Sequence, residues 1–305
     1  MVDNGLRWVL LTALVSGVSV FLNKFGVAGI NSSIFTFSKN LIAGIFLVSS
    51  VLLLKYHKEI LKFTRKDWLL LLAVGFIGGS VPFILFFRGL QLMPAAQAAL
   101  IHKTLFVWVG IFALTFLREK IDRRFFSASL LLLLGNFLLL GFTGMEFGTG
   151  ALMVFAATLM WAAENTLSKY ALRKMSGPVV ACGRMLFGSL FFLLYLIFTD
   201  ELSLILEITL PQLGWILFAS ALLFAYTYTW YTGLETLPVS VATSVLLLAS
   251  PITTLLSMVF TGVLITLAEA AGIISILLGV MIAAHSHQQN RTGHSSGLCS
   301  IANQG

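Results

Sequence analysis

Long apolar runs and short polar breaks alternate along the whole chain. Ten runs stand out, at residues 6–24, 34–54, 67–90, 96–117, 124–142, 148–171, 178–199, 212–232, 238–261 and 267–286. Each is near the ~20 residues a helix needs to cross a bilayer. The breaks are short, so neighbouring helices should be antiparallel, with no room for a domain outside the membrane. The pattern predicts an all-α membrane protein with ten transmembrane helices. Beyond them the chain turns polar, small and aperiodic, and residues 287–305 are expected to form a disordered cytosolic tail.

Composition sharpens this reading. The 305 residues are 58% hydrophobic and 10% charged, where a soluble chain carries about 25% charge. The net charge of +7 would suggest nucleic acid in a soluble protein. Here the basic residues gather in loops, so no nucleic-acid partner is expected and the lipid bilayer is the surrounding. Lys55, Lys58, Lys62, Arg65 and Lys66 follow the second run, Arg118, Lys120, Arg123 and Arg124 the fourth, and Lys169, Arg173 and Lys174 flank the end of the sixth. The alternate loops carry Glu146 and then Asp200, Glu201 and Glu207. The basic side should be cytosolic, with both termini on it, in a cell membrane. Arg7 followed by an apolar stretch resembles a signal peptide, but no cleavage site precedes Lys24, so a retained helix is expected. Cys182 and Cys299 suggest neither a disulfide framework nor a metal cluster. There is no Gly-rich phosphate loop and no cofactor motif.

The chain also repeats itself. RGLQLMP (88–94) matches TGLETLP (232–238) at an offset of 144, as does Gly135 with Gly279. Earlier in each half the offset is 145: Asn23-Lys24 meets Ser168-Lys169, and Lys39 meets Arg184. Each half therefore holds five helices, residues 1–142 and 148–286. An odd number makes the second half enter from the opposite side, so the repeats are inverted, a common build for secondary transporters.

These features, with FLREKI closing the fourth run at Glu119, the glycines in LLLLGN and ILLGVM, and WAAENTLSKYAL in the sixth run, resemble the EamA-type ten-helix branch of the drug/metabolite transporter superfamily. The resemblance spans roughly residues 6–286. It implies a substrate cavity lined by the first four helices of each half, with the fifth and tenth peripheral. FTGVLI departs from the pattern by placing Val263 opposite Glu119, so a symmetric role for that glutamate does not carry over.

Ionisable groups inside the runs are the candidate chemistry. A mid-helix lysine costs roughly 2.5–3.5 kcal/mol on insertion scales. Lys103 follows His102 in the fourth run, and the repeat partners of this pair are Leu246 and Leu247. The fold itself therefore does not demand polarity there. Lys103 either snorkels to the surface or faces a cavity, and Ala95, Ala96, Ala98 and Ala99 thin the helix enough to leave space. His102 is either a hydrogen-bonded core histidine or a proton-coupling group. Lys39 and Arg88 complete a basic funnel or snorkel to headgroups. Trp108, Trp161 and Tyr228 are candidate cavity walls. Glu164 and Arg184 fall at matching depths and are expected to pair, as a structural clamp or as a gating or coupling element, with Asn165 adding a hydrogen bond. The expected function is secondary transport of a small anionic or zwitterionic metabolite, such as an amino acid or carboxylate. Export is the expected direction by resemblance, and protons are a candidate coupling ion. An intramembrane enzyme or lipid-handling protein is the alternative, but no nucleophile–base or metal constellation is visible, so no enzyme is expected.

Overall fold

Inside a bilayer every backbone N–H and C=O must find its partner within the segment, and apolar runs therefore fold as helices. The computed structural model describes residues 4–26, 29–119, 122–141 and 147–302, from residue 290 on by backbone alone. Among them the main helices are α1 (Asn4–Gly26), α2 (Ser32–Leu53), α3 (Arg65–Leu90), α4 (Ala95–Leu117), α5 (Arg123–Leu140), α6 (Thr149–Ala171), α7 (Gly177–Phe198), α8 (Leu210–Thr236), α9 (Val239–Thr261) and α10 (Leu267–Ala302), with no strand. Nine of these, all but α6, contain a stretch long and apolar enough to span a membrane. α6 is long enough at 23 residues; Glu164, Asn165 and Lys169 lower its hydropathy, and the first two are buried within the protein. The tail expected to be disordered falls on the last turns of α10, and its side chains from 290 on lie outside the described residues, as do Lys120, Glu146 and the side chain of Lys24.

Polar residues set the helix ends. Asn31 Oδ1 accepts from the N–H groups of Ser33 and Ile34 at the start of α2, and Thr64 and Asp67 cap α3 reciprocally. Large apolar side chains such as Leu53, Phe116, Leu130 and Phe198 remain exposed. On a membrane protein these are the surfaces that meet lipid.

Glycines record the inversion. At the end bearing the basic loops, α1 crosses α8, where a Cβ on Gly233 would lie 3.2 Å from the Gly5 carbonyl. At the opposite end α6 crosses α3, where Cβ atoms on Gly89 and Gly150 would come within 2.8 and 2.9 Å of each other's carbonyls. Gly5 and Gly150 are repeat partners, as are Gly89 and Gly233, so one contact is built twice, once at each end. The same relation joins α5 and α10. A Cβ on Gly135 would meet the Gly272 carbonyl at 2.8 Å, and one on Gly279 the Ala128 carbonyl at 3.0 Å. Small residues at these crossings let backbones approach where lipid supplies no hydrophobic drive.

Three helices are interrupted. α3 widens to π geometry over Gly75–Ser80, with the Val81 N–H bonded five residues back to Phe76. α4 breaks at Thr104, between Ala95–Lys103 and Leu105–Phe112. α9 breaks at Leu247-Leu248, between Val239–Leu246 and Ala249–Thr261. Thr104 and Leu248 are repeat partners. In α9, Pro251 has no N–H for the Leu247 carbonyl. In α4 the Thr104 hydroxyl instead donates to the Ile101 carbonyl at 2.7 Å.

Candidate functional site

The site starts from a missing N–H. Pro82 cannot donate to the carbonyl four residues back, that of Gly78, and the π turn leaves this oxygen facing α6 and α7. Arg184 of α7 donates to it from Nη2 at 2.9 Å, and Trp161 of α6 from Nε1 at 3.1 Å. Only a residue without Cβ fits here, because a Cβ on Gly78 would run into the Glu164 side chain. At the next residue, a Cβ on Gly79 would lie 2.7 Å from the Gly188 Cα, so α3 and α7 touch backbone to backbone.

Glu164 and Arg184 meet beside this carbonyl, Nε to Oε1 3.6 Å, and are 2% and 9% exposed. The carboxylate oxygen accepts two short bonds, from Ser168 Oγ and Tyr231 OH, each 2.6 Å. These bonds satisfy the carboxylate side of the pair, while Arg184 Nε, buried with no hydrogen-bond partner, meets Glu164 through charge alone. Asn165 does not join the pair; its amide donates to the Trp161 carbonyl at 2.7 Å.

Trp161 links the pair to His102. The two rings lie 4.9 Å apart edge to face, and Phe86 stands 5.5 Å from His102 on another side. His102 Nδ1 is buried with no hydrogen-bond partner. Next to it Lys103 is half-buried, as is Lys39 on α2, whose ammonium sits 5.1 Å from the Phe35 ring. Among the described residues no carboxylate lies within 4.0 Å of either lysine. The interior thus holds one neutralised pair and two further cations.

Three candidate residues lie elsewhere. Trp108 packs on Phe155 at 5.4 Å and bonds Thr104 Oγ1 at 3.2 Å, lining an 810 Å³ apolar cavity between α4, α5 and α6. Tyr228 packs on Trp8 and Phe224, at 6.3 and 5.9 Å. Tyr231, three residues further along α8, is the tyrosine that reaches Glu164. Arg88 bonds Tyr195 OH at 3.0 Å and borders a cavity at the end opposite the basic loops.

The basic end is closed by helix termini. Glu119, at the end of α4, accepts from the N–H groups of Val239 and Ser240 and from Ser240 Oγ, at 2.8, 3.3 and 2.6 Å, and so caps α9. Glu59 accepts from the Ser176 N–H at 2.8 Å and Glu235 from that of Gly177, holding the start of α7. Lys169 donates to the Leu234 carbonyl at 2.5 Å, at the end of α8. Beneath these caps Val179, Val180, Tyr231, Leu234, Leu237 and Val239 form a buried apolar plug. No group of three or more metal-ligating side chains gathers among the described residues.

The sequence pointed to Glu164 and Arg184 through their depth. It missed Gly78, Ser168, Tyr231 and the capping role of Glu119. Ser168 lies one helical turn from Glu164, a spacing that the sequence displays. Gly78 could have been found from Pro82 four residues on. Tyr231 and the α9 start come from the other half of the bundle and leave no local signal.

Known proteins show the same outline. A model of the EamA-like transporter family matches residues 3–141 and again 148–284. The uncharacterized transporter YetK of Bacillus subtilis is 28% identical over 214 residues, 65% of this chain and 63% of that protein, so the chain matches slightly less than two thirds of that relative. An uncharacterized transporter of Clostridium kluyveri is 25% identical over 259 residues, 80% of this chain and 83% of the relative. One crystal structure superposes with a TM-score of 0.79 over 95% of this chain and 99% of its own, at 19% identity, a likeness of fold alone.

Proposed function

Because the chain belongs to the EamA-like transporter family and is thereby a multi-pass membrane transporter, we propose that it carries a small anionic or zwitterionic organic metabolite by alternating access. The observation that carries the substrate class is the excess of cation at the heart of the bundle. Glu164 is already matched by Arg184, while no carboxylate stands within ion-pair distance of Lys39 or Lys103 among the described residues. An unmatched cation inside a membrane is costly, and an anionic group on the substrate offsets that cost. His102, Trp161 and Phe86 supply an aromatic wall beside Lys103.

The moving parts in this reading are α4 and α9, each broken at its middle, and α3, whose π turn ties it to α7. The Gly78–Arg184–Glu164 connection is the inner gate, and Glu164 is the carboxylate that a coupling proton would have to reach. In this reading the closed end, which bears the basic loops, faces the cytosol with both termini, and export is the direction that the family resemblance favours.

Counterflow in proteoliposomes tests this. Vesicles preloaded with a panel of unlabelled amino acids and carboxylates should accumulate the labelled form of at least one, and Lys103→Leu should abolish that accumulation. A protein that binds or converts a panel member without moving it across would overturn the reading, and equal flux in Lys103→Leu would remove Lys103 from it.

A further inference from the structure

A polar cavity of 440 Å³ opens at the end opposite the basic loops, where α2, α3, α6 and α7 meet. It is separate from the Glu164 cluster, and it contains two opposite charges that do not meet. Arg88 comes from the end of α3, and Glu201 from the turn that follows α7. Among the described residues the two lie more than 4.0 Å apart, and neither has another ion-pair partner. Arg88 is held in place by Tyr195, through the hydroxyl at 3.0 Å and against the ring at 5.6 Å. Glu201 Oε2 is buried with no hydrogen-bond partner. Around them the lining mixes apolar Ile84, Phe87, Met153 and Phe192 with polar Asn31, Ser32, Ser33 and Gln91.

A carboxylate with a buried oxygen and no donor is costly. Arg88 is exposed at the mouth of the cavity, where its anchored fork suits a carboxylate. One molecule that presents a carboxylate at one point and an ammonium at a neighbouring point satisfies both. We propose that this cavity is a vestibule binding site for a zwitterionic α-amino acid with an apolar side chain. Its carboxylate lies on Arg88, its ammonium at Glu201, and its side chain on the Ile84, Phe87 and Phe192 wall. The repeat partner of Arg88 is Thr232, so the cation belongs to this end of the molecule only, and so does the site. The inference goes beyond the central cluster and does not depend on translocation, because the vestibule fills at equilibrium.

The test is titration calorimetry on the full chain in nanodiscs, with L-leucine, L-leucinamide (no carboxylate) and N-acetyl-L-leucine (no ammonium). Wild type should bind leucine and neither derivative. Arg88→Gln and Glu201→Gln should each weaken leucine by roughly tenfold or more, as loss of a charge-assisted contact implies. Glu201→Gln should in addition admit N-acetyl-L-leucine. Tyr195→Phe, which keeps the ring and removes the hydroxyl, should weaken leucine less, and serves where Arg88→Gln does not fold. Leucine binding of equal strength in wild type, Arg88→Gln and Glu201→Gln would overturn the proposal, as would no leucine binding at all. Lys103→Leu separates the two sites. Leucine binding that survives it while counterflow is lost supports the vestibule; binding abolished by it would place leucine in the centre and sink the proposal.

Discussion

α4 and α9 are one helix written twice, and their differences are more informative than their likeness. Both begin after a GLxxxP turn, both run on thin, small residues, and both break at the same repeat position, Thr104 and Leu248. On one side of that break α4 carries His102 and Lys103, where α9 carries Leu246 and Leu247. At its far end α4 supplies Glu119, which caps the start of α9; the partner residue, Val263, has no group with which to reciprocate. The shared features are those that let helices approach and bend. The unshared ones put charge inside the bundle and a latch at one end only. A duplicated scaffold has thus been made one-sided by two changes. One end is held shut by carboxylates on helix N-termini, while the end without that latch has the polar cavity beside Arg88.

The comparison can be broken first at its centre. Arg184→Met leaves Glu164 buried without its cation and should cost about 3–5 kcal/mol, as breaking one side of a buried pair does. Glu164→Gln combined with Arg184→Met should recover much of that loss in thermal unfolding, while flux stays absent. Equal destabilisation by the single and double variants would show that the pair is not coupled. The symmetric crossings come next. Gly89→Ala and Gly233→Ala each push a methyl into a facing helix and should cost about 1–3 kcal/mol by overpacking. The two should match within a kcal/mol, and a large disparity would show that the repeats are not packed alike. Glu119→Ala removes the latch and should cost about 1 kcal/mol, the value of a helix cap. Val263→Glu, which writes the latch into the other end, should instead slow the labelling of a Ser33→Cys variant by a membrane-impermeant maleimide. Unchanged labelling would deny the latch its role. Smallest in stability is Lys103→Leu, which restores the residue of the partner helix and should leave the melting temperature within a few degrees while removing flux. A large drop in stability would make Lys103 a structural residue.

Much of this was visible in the chain. The ten apolar runs became helices near their expected bounds, because the bilayer leaves an apolar segment no other way to satisfy its backbone. The repeat announced the inversion, and the equal depths of Glu164 and Arg184 brought them to the same level. Trp108 and Trp161 show where that reasoning stops. Both are aromatics near a charged residue in their own helix, yet one faces α5 and α6 across an apolar cavity and the other turns into the Gly78–His102 cluster. Distance along a helix gives depth, and depth alone does not say which neighbour a side chain meets.

The sequence by itself determined the membrane setting, the two five-helix halves and the list of groups too polar to face lipid. These follow from local quantities: the length of an apolar run, the sign of a loop, the spacing of a repeat. Only the tertiary structure decided that a carbonyl freed by Pro82 would be shared by Arg184 and Trp161, that Tyr231 rather than Tyr228 would hold Glu164, and that Glu119 would close one end. Each of these joins residues from different helices, and the rotation of one helix against another is set by how many side chains pack at once.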